Sequence, residues 1–315
     1  MSAAFSDDQL RLAARLYYLD GLGQADVARF VRVSQAKVSR LLSTARERGI
    51  VRISVAEYEP RDVGLERQLK EQFRLQSVAV IKTLNGSTAE DIRRVTGHFG
   101  AEFVRTLIPA ESTVAIAGGR TMRELVSMLP QASESQLTVI QAMGSIDSTV
   151  TDVDALELGR TVAKRLAARF VTINTPAFVP DKQTRDAFLG LDQLKTVWQQ
   201  FKSVDVALIG IGTLRNSVFV ERGVLSPSNL ALLATAGAVG EIFGRFFDHR
   251  GRECVTPWRD RVISMSLDQL KKVPQVIAVV SGSDRAPALL AAIRGGLVKS
   301  LVVDDTCASA LLSLS

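Results

Sequence analysis

The chain has 315 residues, 46% of them hydrophobic and 23% charged, which fits a folded globular protein of a small domain plus one of about two hundred residues. A formal net charge of +6 and a pI near 9.5 suit an anionic partner. Two distant cysteines, Cys254 and Cys307, exclude a disulfide framework or a cysteine metal cluster, and no apolar run reaches the roughly 20 residues of a membrane helix.

The N-terminus lacks a basic segment followed by an apolar one, so no signal peptide is expected and the protein is read as cytoplasmic. Residues 7–18 are amphipathic, with Leu10, Ala13, Ala14, Tyr17 and Tyr18 on one side, and predict a supporting helix. Residues 24–48, QADVARFVRVSQAKVSRLLSTARER, then read as two short helices joined by a tight turn. Val27, Phe30 and Val33 form an expected apolar face that Val38, Leu41 and Leu42 continue, while Ala28 fits a close helix crossing. Ser34 is the expected N-cap of the second helix. With Val38 and Leu41 inward, Ser34, Gln35, Ala36, Lys37, Ser39 and Arg40 are left on the DNA-reading side. Gln there can pair with adenine and Arg or Lys with guanine in a major groove. From Arg29 to Arg52 the cations Arg29, Arg32, Lys37, Arg40, Arg46, Arg48 and Arg52 face Glu47 alone. A charge run is more often a solvated face; the helix–turn–helix spacing is what favours nucleic acid. Arg32 stands where many such turns hold Gly, so a strained positive φ is expected there. Gly49 stops the helix, and the alternation over residues 50–55 predicts a strand that could serve as a wing.

The expected divisions are a helix-turn-helix DNA-binding domain over 1–56, a linker helix over 57–75 and a sugar-binding effector domain over 76–315. Pro60 marks the linker, and Leu65, Leu69 and Phe73 give its helix one apolar stripe, to pack on the large domain or on a second subunit. Beyond it, short apolar runs at 78–81, 114–117, 137–140, 170–173, 204–209, 262–265, 276–280 and 301–303 read as strands. Helical patterns at 90–107, 122–129, 154–168, 286–294 and 309–314 lie between most of them. The expected class is therefore α/β, a Rossmann-like, mostly parallel sheet covered on both faces. Ligands in such folds sit in the loops beyond the carboxyl ends of strands.

Those loops supply the candidate residues. Gly118-Gly119-Arg120-Thr121 is either a phosphate cradle at a helix start or a tight turn that needs glycine. Gln141 with Gly144, and Gly210 with Gly212, mark two more strand ends; the latter lacks the remainder of a dinucleotide fingerprint, and no cofactor is expected. Glu241 and Asp248 are candidate acceptors for sugar hydroxyls, and Arg285 could face an anion. His98 and His249 join no metal or nucleophile pattern, so no metal site or catalytic group is assigned.

Taken together, the N-terminal LAARLYYLDGLGQADVARFVRVSQAKVSRLL and the later GGRTMREL, QAMGS, NTPAFV, VDVALIGIG, GAVGEIFGRFFDHRG and SGSDRAPALLAAIRGGLVKSLVVDD resemble SorC-type bacterial transcriptional regulators over nearly the whole chain. The resemblance implies a winged or homeodomain-like head on an effector domain similar to sugar-phosphate isomerases. It implies a sugar or phosphorylated sugar as effector, and a homodimer or homotetramer on palindromic double-stranded operator DNA. By the same resemblance Gly118, Gly119, Arg120 and Thr121 would meet the phosphate, with Gln141, Glu241 and, more weakly, Asp248 near the sugar. Family members often have Lys where this chain has Arg285, and Arg can grip phosphate but cannot form a Schiff base. The resulting expectation is a transcriptional regulator of carbohydrate or polyol genes, not an enzyme. The rival is a phosphosugar isomerase with a basic head, for which Asp205, Glu241 and Asp248 are the available carboxylates.

Overall fold

A computed structural model describes residues 5–56 and 58–314. Met1 to Ala4, Glu57 and Ser315, outermost in the expected head, linker and effector segments, lie outside the described residues. The chain divides into two compact units, Met1–Tyr58 and Glu59–Ser315.

In the first unit α1 (Asp7–Ala14) starts at a Ser6 capping box and runs into a π-helical turn, Arg15–Leu19. Leu16 is buried with Leu10, Ala13 and Ala14, while Tyr18 lies at the surface: the π turn rotates the stripe away from simple helical spacing. Two helices follow, α2 (Gln24–Phe30) and α3 (Gln35–Glu47), the latter capped by Ser34, whose Oγ accepts the Lys37 N–H at 3.3 Å. Arg32 adopts φ 55°, as its place in the turn required. Val27 and Ala28 meet Val38, Leu41, Leu42 and Ala45 in one core. Phe30 does not join it. At 65% exposed it lies on the outer side of the last turn of α2, where Val31, one residue on, packs instead. The expected wing strand over residues 50–55 does not form either. Ile50 and Val51 tuck against the helical core, and Ile53 and Val55 are exposed with no strand beside them among the described residues.

The second unit opens with residues 60–62 laid antiparallel along β1 (Ser77–Ile81), joined by Asp62 N–H to Val80 O and Lys82 N–H to Pro60 O, both 2.8 Å. Then α4 (Val63–Phe73), the helix expected as a linker, packs on β1 with Leu69 fully buried in the core of this unit. Its Glu66 is buried too; it pairs with Arg61 at 2.6 Å and accepts the Val80 N–H at 3.0 Å.

The remaining strands are β2 (Thr113–Ile116), β3 (Thr138–Gln141), β4 (Arg169–Val171), β5 (Val206–Ile209), the hairpin β6 (Ala238–Ile242) and β7 (Arg245–Asp248), β8 (Gln275–Val280) and β9 (Ser300–Asp304). Seven form one all-parallel sheet in the order β1-β9-β8-β5-β2-β3-β4. Alternate residues feed two cores: Ala115, Ala207 and Ala278 face one side, Ile116, Leu208 and Ile277 the other. On the second side lie α5 (Ala89–Thr106), α6 (Arg120–Met128) and α7 (Ala155–Arg165). On the first lie α4, α8 (Lys182–Leu189), α9 (Asp192–Gln200), α10 (Val218–Glu221), α11 (Pro227–Thr235), α12 (Leu267–Lys272), α13 (Ala286–Arg294), α14 (Asp305–Ser313) and the hairpin. The run 262–265 is not a strand of the sheet. It makes single bridges to Phe178 and Met143 while packing its apolar side chains inward.

Candidate ligand cleft and nucleic-acid interface

Topology fixes where a ligand can enter the large unit. From β2 the chain proceeds to β3 and β4; from β5 it proceeds the opposite way, to β8 and β9. The loop after β2 leads to α6 on one face, and the loop after β5 leads to α10 and α11 on the other. A crevice must open between such diverging loops. One does, a cleft lined by residues from both loops and enclosing about 720 Å³ of non-protein space with the open solvent at its mouth included.

Eight of the expected effector residues line it: Gly118, Gly119, Arg120, Thr121, Gly210, Gly212, Glu241 and Arg285. Gly118 allows the backbone to pass Val153 O, which an added Cβ would approach to 2.6 Å. Gly119, at φ 130°, N-caps α6 with open space where its side chain would be. Its N–H donates to Val153 O at 2.8 Å, so the open donors here belong to the first turn of α6. The Thr121 hydroxyl shares a 2.8 Å hydrogen bond with Ser281. Arg120 is held by Glu221 and Asn216, each at 2.5 Å, which draws the short strap carrying α10 over the cleft. Arg222 fastens the same strap to the loop after β3 through Asp154, at 2.9 Å. The buried Arg285 guanidinium donates to Ser281 O at 2.9 Å and to Asp284 at 3.2 Å.

Glu241 is the deepest polar group. The β6 strand that carries it bridges Gly212, and an added Cβ on Gly212 would strike Glu241 Oε1, so the glycine makes room for the carboxylate. Oε2 accepts the Gly244 N–H at 3.0 Å; Oε1 has no protein partner among the described residues. Burial pushes its pKa up to about 7, against the smaller opposing pull of the Gly244 hydrogen bond.

Three expected residues are elsewhere. Gln141 is buried at the end of β3, where its Oε1 accepts the Ile173 N–H at 3.1 Å and bridges toward β4. Gly144 permits a close crossing, since an added Cβ would meet Pro176 O at 2.5 Å. Asp248 organises the turn after β7 by accepting from the Arg250 and Arg252 N–H groups and pairing with the Arg252 guanidinium at 2.9 Å. Asp205 accepts the Thr113 N–H at the N-terminal ends of β2 and β5, opposite the cleft. Of the three carboxylates an isomerase could have used, only Glu241 reaches the cleft, and a lone carboxylate is no acid–base pair. Sequence reasoning passed over Met143, Ile146, Asn216 and Phe243, which also line it. They lie in irregular segments with no periodic signal; Met143 between Gln141 and Gly144, Phe243 after Glu241 and Asn216 after Gly212 had only their place beside expected residues to point there.

In the small unit, Ser34, Gln35, Ala36, Lys37, Ser39 and Arg40 are all exposed along the first turns of α3. Arg40 has no ion-pair partner among the described residues, and Lys37 touches only the Phe5 ring, 5.8 Å from its centroid. Arg29 and Arg48 are instead neutralised by Asp26 and Asp7. Lys37 and Arg40 thus stand on α3, near Gln35, with no carboxylate partner among the described residues.

Among the described residues no helix is long and apolar enough to cross a membrane, and no cluster of His, Cys, Asp or Glu could hold a metal ion. His98 and His249 are exposed and outside the cleft.

Comparison with known proteins covers nearly the whole chain. The family model described as "Putative sugar-binding domain" matches residues 60–313. The sorbitol operon regulator of Klebsiella pneumoniae is 29% identical over 316 residues, spanning 98% of this chain and 99% of that protein. The transcriptional regulator LsrR of Escherichia coli O139:H28 is 28% identical over 312 residues, spanning 97% and 95% respectively. The crystal structure of the full-length sorbitol operon regulator SorC from Klebsiella pneumoniae has a TM-score of 0.78 at 27% identity, covering 98% of this chain and all (100%) of that one. These relatives are transcriptional regulators, not enzymes.

Proposed function

The chain belongs to the SorC-type family of transcriptional regulators with a sugar-binding domain, and on that premise we propose how its two units divide the work. The first unit reads double-stranded operator DNA by laying α3 in the major groove, with Gln35, Lys37 and Arg40 toward the bases or phosphates and Ser34 and Ser39 beside them. The second binds a sugar or sugar phosphate of carbohydrate or polyol metabolism in the switch-point cleft. Its hydroxyls meet Glu241, and an anionic group meets Thr121 and the open first turn of α6. The protein works in the cytoplasm as a homodimer or homotetramer, so that paired copies of α3 address a palindromic site. Effector binding shifts the balance between two arrangements of subunits, and the DNA affinities of those arrangements differ by the same coupling energy, typically ~1–3 kcal/mol.

The observation that carries this reading is the cleft itself: a buried carboxylate with one open oxygen in the same crevice as the start of α6, whose N-cap Gly119 supplies no side-chain cap, at the topological switch point. A thermal-shift screen of the full-length protein against sugars, polyols and their phosphates tests it, because a specific ligand raises the melting temperature by mass action. A hit lost on Gly119→Val, in a variant whose own melting curve shows that it folds despite a side chain at φ 130°, puts the ligand beside Gly119. A hit that Gly119→Val leaves intact puts the effector elsewhere.

A further inference from the structure

The longest stretch of the chain without a charge runs between Arg222 and Glu241. It holds α11, whose Leu233 is buried in the core of the large unit while Leu232, one residue before, is 50% exposed. Ser228, Ala231, Leu232, Thr235 and Ala236 follow at the spacing of one helix face, and all five are exposed. A surface helix ordinarily carries charged side chains on its outer side; α11 carries none.

The face continues past the helix. Cys254 donates its thiol to Ala236 O at 3.6 Å, which brings Val255, 81% exposed, beside the end of α11. Charges that flank these residues in the chain are matched within the unit: Glu221 with Arg120, Arg222 with Asp154, Asp248 with Arg252 and Glu253 with Arg245.

This pattern selects the occupant. Nucleic acid and anionic membranes are held by cations, and α11 offers none. A second copy of the chain sets a different condition. Across a two-fold axis a surface faces itself, so a charge near the axis would oppose its like, whereas neutral side chains meet at no such cost. The run from Gly223 to Gly240 satisfies that condition over its whole length, and the small Ala231 and Ala236 leave room for close approach.

We propose that α11 and Val255 form the apolar centre of a two-fold contact between the large units of two copies of this chain, with Leu232 of each set against α11 of the other. The paired charges to either side supply its polar rim. This deepens the reading of the protein as a homo-oligomer and rests on it.

Sedimentation velocity of the full-length protein over a concentration series tests the contact, for wild type, Leu232→Glu, Leu232→Lys and Val255→Glu, with melting curves to show that each variant is folded. Leu232→Glu and Val255→Glu are each expected to weaken self-association about tenfold or more, read as the loss of one assembly step, from tetramer to dimer or from dimer to monomer. An equal mixture of Leu232→Glu and Leu232→Lys is expected to regain the wild-type mass, because opposite charges then meet across the axis. Should Leu232→Glu fail to fold, Val255→Glu decides alone. A wild type that is monomeric throughout would overturn the contact together with the homo-oligomer reading. An oligomeric wild type whose mass the folded glutamate variants keep would overturn the contact alone and leave the α11 face to a different protein. A mixture that stays as small as its components would refute the self-facing geometry.

Discussion

Replacing Glu241 by Gln should change how stability depends on pH. Wild-type Glu241 is 9% exposed; its carboxyl has the Gly244 N–H as a donor at 3.0 Å and its pKa raised by burial from 4.5 to about 7. Between those values the folded protein keeps a proton that the unfolded chain has released. Stability therefore falls as pH rises from about 4.5 to about 7 and is level above that. The raised pKa corresponds to about 3 kcal/mol at most, and solvent reaching the cleft mouth reduces this to about 1–2 kcal/mol. Glutamine keeps the size of the side chain and an acceptor for Gly244 but has no proton to lose. Urea unfolding of both proteins from pH 5 to pH 8.5 gives the assay, read as the difference between the two stability profiles. That difference should move in favour of Gln by about 1–2 kcal/mol on going from the acid to the alkaline end. Parallel profiles would mean that Glu241 is not a protonated buried acid near neutrality, and the argument from desolvation would fail. The same variant should bind hydroxyl-rich ligands more weakly, since it exchanges an ionisable acceptor for an amide.

Arg40→Ala and Lys37→Ala should each weaken operator binding and lower the slope of log affinity against log salt by about 1 if they contact phosphate. Fluorescence anisotropy on operator DNA reads this out, and wild-type affinity and slope would exclude α3 from the interface. Arg222→Ala strips the nearly buried Asp154 of its cation, leaving hydrogen bonds from Thr151. It should cost about 3 kcal/mol in urea unfolding, while a loss below ~0.5 kcal/mol would show the strap is not held by this pair. Gly97→Ala forces a Cβ into the α5–α6 crossing and should destabilise by about 1–3 kcal/mol. An unchanged midpoint would contradict the close packing of α5 on α6 at Gly97.

The sheet was legible because its strands are continuous apolar runs bounded by turn residues, such as 78–81 and 276–280. The run 262–265 carries the same signal yet lies outside the sheet, because burial alone does not distinguish a core-lining segment from a strand. The β6–β7 hairpin went unread, its register broken by a bulge and its strands full of glycine and charge. In the cleft, the glycine-marked strand ends were legible and local. The exclusion of Gln141 and Asp248 was not, since their partners, Ile173 and the Arg252 turn, are set by tertiary geometry.

The cover that residues 60–62 and Glu66 place over the outer side of β1 bears on how the large unit tolerates shortening. A chain begun at Gln76 would lose Asp62, Glu66 and Leu69 together. It would then display the hydrogen-bonding groups of Val80 on an apolar sheet margin. Such a margin recruits strands from other molecules, so that shortened chain should aggregate. Beginning instead at Glu59 keeps the margin sealed, and the soluble yield of the two fragments should differ accordingly.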